Sequence, residues 1–360
     1  MQRNSFLLYG ANGYTGELIA RSAAQYQLHP ILAGRNAVAI ESLASRLQLP
    51  YRIFELADQA SLEAALQEVS LVVHAAGPYD STAQTMIDAC IRTGTHYLDL
   101  NGDHTVFEMI RSYDEQARAK GIMLLPGAGF DVVPTDCLAV WLHRRMPDAQ
   151  LLEIAFTIIG SRISRGTAIT TLGQLGLPGA VRINGHLTAE PVGKRTLWLS
   201  FPGYKRRFFT MSIPWGDLST AFYATGIPNI TTYTGLSRFS WRLSQVQFLF
   251  NWLLKLQWAR RMIKRIIDLL PAGPGDAQRN KAFSLVQATA TNTSGQSLSV
   301  YLRCPEAYSL TASTVLLIAA KIQNGSFRPG YQTPATAYGE DLIMEVPGVS
   351  RIVPETFSPA

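Results

Sequence analysis

Three glycines, Gly10, Gly13 and Gly16, follow the apolar run Phe6-Leu7-Leu8-Tyr9 at G-x-x-G-x-x-G spacing, a pattern suited to holding a pyrophosphate. Gly10 permits a tight turn, Gly13 lets backbone N–H groups approach phosphate oxygens with no Cβ in the way, and Gly16 lets a helix pack on the strand. The N-terminus of that helix adds a partial positive charge. Asn12, Tyr14 and Thr15 complete the turn and count with the glycines as cofactor-binding candidates. About twenty residues on, a dinucleotide site selective for NAD carries an acid for the ribose hydroxyls; Gly34-Arg35-Asn36 stands there instead. A guanidinium binds a 2′-phosphate bidentately and stacks on adenine, so Arg35, with Asn36, favours NADP(H). Asp58 reads equally as an adenine neighbour or a helix cap. The small residues Ala76, Gly77 and Pro78 suit a close cofactor crossing, and Gly127 and Gly129 suit either the nicotinamide end or a hinge.

These residues need elements to position them. Apolar segments 6–9, 29–35, 51–55, 71–75, 96–100 and 122–125 alternate with helical patterns over 14–27, 38–47, 61–68, 82–92 and 107–120. Strict alternation of short strands and helices implies right-handed crossovers and a doubly wound parallel sheet of Rossmann type, with ligands beyond the carboxyl ends of the strands. Past Gly129 the alternation fails. A helix over 134–145 is followed by strand-like segments at 152–159, 181–187, 195–201, 208–213, 229–234, 283–290 and 297–302, which predicts an α+β domain on a mixed or antiparallel sheet. The expected organisation is an NADP-binding domain over 1–130 and a substrate or dimerisation domain over 131–305. A helix around 306–330 returns to the first domain, and a tail covers 331–360.

The net charge of +6 comes from one place. Residues 236–270 hold seven Lys and Arg against the single acid Asp268, leaving 25 basic and 25 acidic residues elsewhere. A helical projection puts Trp252, Leu256, Ile263, Ile266, Ile267 and Leu270 on one face, with Lys255, Arg261, Lys264, Arg265 and Asp268 opposite and Leu254 and Trp258 at the charged rim. The segment reads as a docked helix or as a peripheral membrane contact. Nucleic acid is not expected, because no binding motif accompanies the charge. The three cysteines, Cys90, Cys137 and Cys304, have no metal-like spacing and are an odd number, so neither a metal site nor a disulfide framework is expected. No apolar run reaches the ~18 residues of a spanning helix, and the first strand begins too early for a signal peptide; the expectation is a cytoplasmic protein, peripheral to a membrane at most.

Taken together, the motifs resemble the saccharopine dehydrogenase-like oxidoreductases, particularly the branch with the trans-acting enoyl reductases. The resemblance runs through Gly10–Gly16, Ala33–Asn36, Ala75–Tyr79, Tyr97–Asp103 and Gly129–Asp136, then Ser164–Thr167, Gly216–Thr220, Thr225–Asn229 and Gly330–Ala335. Asn12 replaces the family's usual Thr and Asp103 its usual Glu. The resemblance implies an NADP-binding Rossmann domain, a second α+β domain inserted after it and a C-terminal helix returning to the first. A hydride-transfer enzyme also needs a proton donor or charge stabiliser. The candidates are Tyr79, Tyr97, Asp99, Asp103 and Asp131, with Arg165 and Thr167 in the second domain. The leading expectation is an NADP(H)-dependent oxidoreductase acting on an enoyl or carbonyl group of a hydrophobic, lipid-like small molecule. A reductase of imines or amino acids is the first alternative, with Arg165 and Arg162 or Arg182 anchoring carboxylates. A non-catalytic NADPH-binding adaptor at a membrane is the second.

Overall fold

In a computed structural model, described for residues 5–174, 177–245, 256–354 and 358–359, the chain divides into two compact units. Unit 1 comprises 1–133 and 308–346, and unit 2 comprises 134–307 and 347–360.

Unit 1 is built from β1 (Ser5–Tyr9), α1 (Tyr14–Ser22), β2 (His29–Gly34), α2 (Ala37–Leu47), β3 (Tyr51–Ile53), α3 (Gln59–Gln67), β4 (Leu71–His74), α4 (Tyr79–Thr93), β5 (His96–Asp99), α5 (His104–Arg111), α6 (Asp114–Lys120) and β6 (Met123–Leu125). The sheet order is β6-β5-β4-β1-β2-β3, every pair parallel. The sheet turns back at β1 and β4, which is where a doubly wound sheet opens its ligand crevice. Strands β1 and β4 read as unbroken apolar runs because helices cover both faces; Phe6, Leu7, Leu8, Val72 and Val73 are fully buried. The helix expected over 107–120 is two helices, broken at Ser112–Tyr113, and α4 begins at Tyr79, directly after the cis Gly77–Pro78 bond.

The stretch expected as a tail from 331 is partly sheet. Gly330–Tyr331 forms a seventh parallel strand, β15, beside β6, with the Gly330 and Gln332 N–H groups donating to the Ile122 and Leu124 carbonyls at 2.8 and 2.9 Å. Gly330 has φ +97°, and a Cβ there would collide with Asp114 Oδ1, which accepts the Tyr331 N–H at 2.7 Å. The helix Ala307–Gln323 runs through unit 1 from residue 308, and Gln323 Nε2 donates to the Ser5 carbonyl at 2.8 Å.

Unit 2 carries α7 (Val133–Arg145), β7 (Ala149–Ile159), α8 (Arg165–Gln174), β8 (Gly179–Ile183), β9 (His186–Glu190), β10 (Thr196–Ser200), β11 (Arg207–Ser212), α9 (Asp217–Thr225), β12 (Asn229–Gly235), α10 (Arg238–Gln245), a helix over Gln257–Asp268, β13 (Phe283–Asn292), β14 (Gln296–Pro305) and β16 (Ser350–Ile352). Its sheet runs β10-β11-β12-β7-β13-β14-β16, mixed as expected, because β12 and β7 are parallel while the other pairs are antiparallel. The strand expected over 181–187 is instead a hairpin. Asn184 and Gly185, at φ +49° and +80°, make the two-residue turn that Asn-Gly favours between right-twisted strands.

Candidate dinucleotide site in unit 1

The glycine turn lies beyond the carboxyl end of β1, tied to its neighbour by Gly10 and Ala11 N–H groups donating to the Ala33 carbonyl at 2.8 and 3.2 Å. Gly10 sits at φ +86° with its would-be Cβ 2.8 Å from the Ala75 carbonyl carbon, so any side chain would drive β1 and β4 apart. A Cβ on Gly16 would run into the Gly10 carbonyl oxygen, which is why α1 can press against the turn only through glycine. Gly13 is the N-cap of α1 and no side chain of the described residues caps that end, while Asn12 and Gly13 face solvent. An open helix N-terminus behind bare backbone has the donor set a pyrophosphate requires. Tyr14 and Thr15, in the first turn, are half-buried, and the Tyr14 ring meets Tyr308 edge-on at 5.1 Å. Asn12 Oδ1 lies 3.2 Å from the Cβ position of Gly34, so the turn reaches the end of β2.

Arg35 follows β2, exposed and without an ion pair among the described residues. Its charge bears on Tyr9, whose hydroxyl is pushed up by burial and pulled back by Arg35, and whose OH donates to the Phe54 carbonyl at 3.4 Å. Tyr9 is a site neighbour that sequence reasoning missed, because a tyrosine closing an apolar strand reads as core. Asn36 and Asp58 are both taken up locally. Asn36 Oδ1 caps α2 through the Ala39 N–H at 3.1 Å. Asp58 caps α3 through the Ser61 N–H and hydroxyl at 3.2 and 2.6 Å, which lowers its carboxyl pKa. A carboxylate committed to a helix N-terminus has little left for adenine, so Asp58 resolves as a cap.

The turn Ala75–Pro78, at the end of β4, rests on His74. This fully buried ring places Nε2 2.9 Å from the Ala76 carbonyl and 3.2 Å from Thr82 Oγ1, and burial pushes its pKa down to about 4. The imidazole is therefore neutral, with its proton on Nε2, where a carbonyl must be met by a donor. Thr82 Oγ1 also lies 3.0 Å from both the Ala76 and Pro78 carbonyls. The exposed Gly77 and Pro78 are held from beneath, with Ala76 half-buried between them and Gly10.

The catalytic candidates separate by environment. Tyr97 is fully buried and its OH is spent on Asp99 Oδ2 at 2.8 Å, so it does not reach a substrate. Asp99 is also fully buried; Oδ1 accepts the Asn101 and Gly127 N–H groups at 2.9 and 2.8 Å, and burial raises its pKa to about 6. It is a brace between the ends of β5 and β6. Asp103 caps α5 through the Thr105 N–H and hydroxyl at 2.9 and 2.8 Å. Two groups keep a chemical role open. Tyr79 is half-buried, its OH donates to the His74 carbonyl at 3.2 Å, and burial with the Asp99 charge raises its pKa well above the ordinary value. Asp131, half-buried past β6 and facing the Gly102 position, has a carboxyl pushed by burial to about 7. Arg165 belongs to unit 2, half-buried in the first turn of α8, and Thr167 donates its N–H to Ser164 Oγ at 3.2 Å.

Gly127 and Gly129 are buried, and packing accounts for both. At Gly127, φ is +73° and a Cβ would stand 2.7 Å from Val132 Cγ2 and 2.8 Å from Phe107 Cζ. At Gly129 it would stand 2.8 Å from Thr311 Cγ2. Thr311 Oγ1 accepts the Phe130 N–H at 3.0 Å and Thr314 Oγ1 donates to the Ala128 carbonyl at 2.7 Å, so the returning helix clamps this loop. Among the described residues no cluster of His, Cys, Asp or Glu has the geometry of a metal site, and all three cysteines are buried thiols.

The parallel sheet, the open glycine turn at its reversal point and the arginine after β2 define unit 1 as a Rossmann-type dinucleotide-binding unit. Residues 6–125 match the family model described as the saccharopine dehydrogenase NADP binding domain. A trans-acting enoyl reductase of Mycobacterium leprae is 23% identical over 97% of this chain and 97% of its own length. A saccharopine dehydrogenase-like oxidoreductase of Bos taurus is 26% identical over 43% of this chain, and its human counterpart 27% over 39%. Those matches span only 41% and 37% of the two mammalian proteins. Among solved structures, apo saccharopine dehydrogenase (L-Glu forming) from Saccharomyces cerevisiae superposes with a TM-score of 0.66 over 97% of this chain and 100% of its own, at 14% identity, which is a likeness of fold. The expected fold class and NADP(H) as cofactor stand on these grounds.

Proposed function

We propose that this chain is an NADP(H)-dependent oxidoreductase reducing an enoyl or carbonyl group of a hydrophobic small molecule, with a lipid intermediate as the substrate class. The observation that carries the reading is Arg35, exposed and unpaired among the described residues at the end of β2, beside an uncapped glycine turn. When bound, NADPH supplies the hydride. The N–H groups of 14–16 would hold the pyrophosphate, Arg35 the 2′-phosphate, and the Ala75–Pro78 turn the sugar between them. Asp131, with a pKa near neutrality, suits a proton donor at physiological pH, and Tyr79 stays protonated throughout that range. The enoyl direction is favoured by the mycobacterial relative named for that activity, which matches over nearly the whole chain.

The imine or amino-acid alternative loses an anchor. Arg182 is buried, its Nε donating to the Leu218 carbonyl and its Nη1 to the Gly185 carbonyl at 2.7 Å, with the guanidinium 4.1 Å over the Phe222 ring. An arginine held in this way is not free to take a substrate carboxylate. The test is calorimetric titration with NADPH and NADH, followed by NADPH consumption against medium-chain enones and enoyl thioesters. NADPH binding at least about tenfold tighter than NADH, with consumption, supports the reductase reading. Tight NADPH binding with no consumption favours the adaptor, and binding of neither removes both.

A further inference from the structure

Within 236–270 the described residues form α10 and the helix Gln257–Asp268, the latter entered through extended backbone at Leu256. Residues 246–255, including Trp252, Leu254 and Lys255, lie outside the described residues, as do the side chains of Trp258, Arg260, Lys264 and Asp268. On the helix Gln257–Asp268, Ile263 and Ile267, four residues apart, pack against Ala168 and Leu172, four apart on α8. Ile266, expected on the same face, is 55% exposed, and Met262, one turn before it, is 54% exposed. Leu269 follows at 86% exposure, and Leu256 and Leu270 are exposed as well. Among the described side chains, Ile267 is buried and Ile263 partly so, while Met262 and Ile266 on the helix and Leu256, Leu269 and Leu270 at its ends are exposed. Arg261 and Arg265 are exposed beside that stripe.

The preceding helix repeats the arrangement. Trp241 anchors α10, its Nε1 donating to the Gly193 carbonyl at 2.9 Å and its ring 5.6 Å from Phe209. That leaves Phe239, 77% exposed, with Arg238 and Arg242 exposed near it. Isolated apolar side chains on a surface need no explanation, but a row spaced along one helix and bordered by arginines does.

We infer that the outward face of Gln257–Leu270, with Phe239 of α10, is a docking surface for an anionic phospholipid bilayer. The occupant is chosen by charge. All of the chain's cationic excess falls in 236–270, with one acid among seven bases, whereas a protein partner or a second copy of this chain would have to bring a matching acidic face. Exposed Met, Ile, Leu and Phe can enter the headgroup boundary while flanking arginines remain at phosphate level. This surface is distinct from the dinucleotide site, and the inference does not depend on turnover.

Flotation with phosphatidylcholine vesicles, with and without phosphatidylglycerol, tests it. Binding to the phosphatidylglycerol vesicles should be at least about tenfold stronger than to neutral ones and should weaken with salt. Arg242→Glu with Arg265→Glu should abolish the preference, and Ile266→Ser with Leu269→Ser should abolish binding, while NADPH affinity and melting temperature stay unchanged as evidence of folding. Equal binding to both vesicles, or none to either, overturns the inference. So does concentration-dependent self-association that the Ile266→Ser, Leu269→Ser variant removes without any vesicle binding, since the occupant would then be a second copy.

Discussion

Two glycine-bearing turns leave the carboxyl ends of parallel strands in unit 1, and they put their glycines to opposite uses. After β1, Gly10 and Gly16 are needed for backbone packing, but Gly13 is exposed at φ −74° with only the Gly10 carbonyl near its Cβ position, at 3.2 Å. The space it leaves is open. After β6, the space at Gly127 and Gly129 is occupied already, by Phe107, Val132 and Thr311. Glycine spacing alone does not separate a phosphate cradle from a tightly packed loop. What separates them is whether the missing Cβ would meet solvent or the protein's own side chains.

The contrast can be broken at several points. The largest effect is expected at the closed turn. Gly127→Ala imposes a Cβ both at positive φ and against Phe107 and Val132, and should cost ~3–4 kcal/mol of unfolding free energy, measured by denaturant titration, with NADPH affinity of the remaining folded protein unchanged. A large loss of affinity at full stability would place Gly127 at the cofactor after all.

Asp99, which holds the Gly127 N–H, sharpens the same turn through pH. Its folded pKa of about 6 exceeds the ordinary carboxylate value, so the folded state binds the proton more tightly. The stabilisation is complete below the unfolded pKa and is lost as pH rises to about 6. Asp99→Asn should remove that decline, gaining ~2–3 kcal/mol relative to the parent between pH 4 and pH 7 in urea melts. A pH-independent difference between the two proteins would refute the buried, raised carboxyl.

At the open turn the effects move from stability to binding. Arg35→Ala should weaken NADPH by ~1.5–3 kcal/mol and leave NADH nearly unchanged, the range for a hydrogen bond to a charged group. Equal losses for both would dismiss the 2′-phosphate assignment. The smallest effect is Gly13→Ala, whose backbone is compatible with alanine. Its melting temperature should shift little, while NADPH binding falls about tenfold, ~1.4 kcal/mol. A stability loss as great as that at Gly127 would erase the distinction between the turns.

Legibility from sequence follows the same line. The alternation of unit 1 was readable because strands buried on both faces must be unbroken apolar runs, and β1 and β4 are. The mixed sheet of unit 2 was readable for a related reason, since its strands arrive without intervening helices. Local turn chemistry was present but passed over at Asn184-Gly185, where the dipeptide already marked a hairpin. The site was less legible. Asn36, Asp58 and Asp103 are residue types that cap helices as readily as they bind ligands, and only the geometry shows each carboxylate or amide satisfied two or three residues on. Asp99 and Tyr97 looked catalytic because nothing in the sequence reveals that their partners are each other and the Gly127 N–H, 28 residues downstream. The exposure of Ile266 was hidden because helical periodicity gives a face and not the width of the groove that receives it.

The seventh strand, Gly330–Tyr331, carries a consequence for how the protein is made. Its partner β6 is finished some two hundred residues earlier, and the threonines that clamp the 126–130 loop also come after residues 134–307 of unit 2. On the ribosome, the nucleotide-binding unit must therefore wait with one sheet edge unpaired and its last loop unclamped until residues 134–307 of unit 2 have emerged. Such an interval favours premature strand pairing between nascent chains, and it makes this protein one whose yield should respond to chaperones and to slower translation.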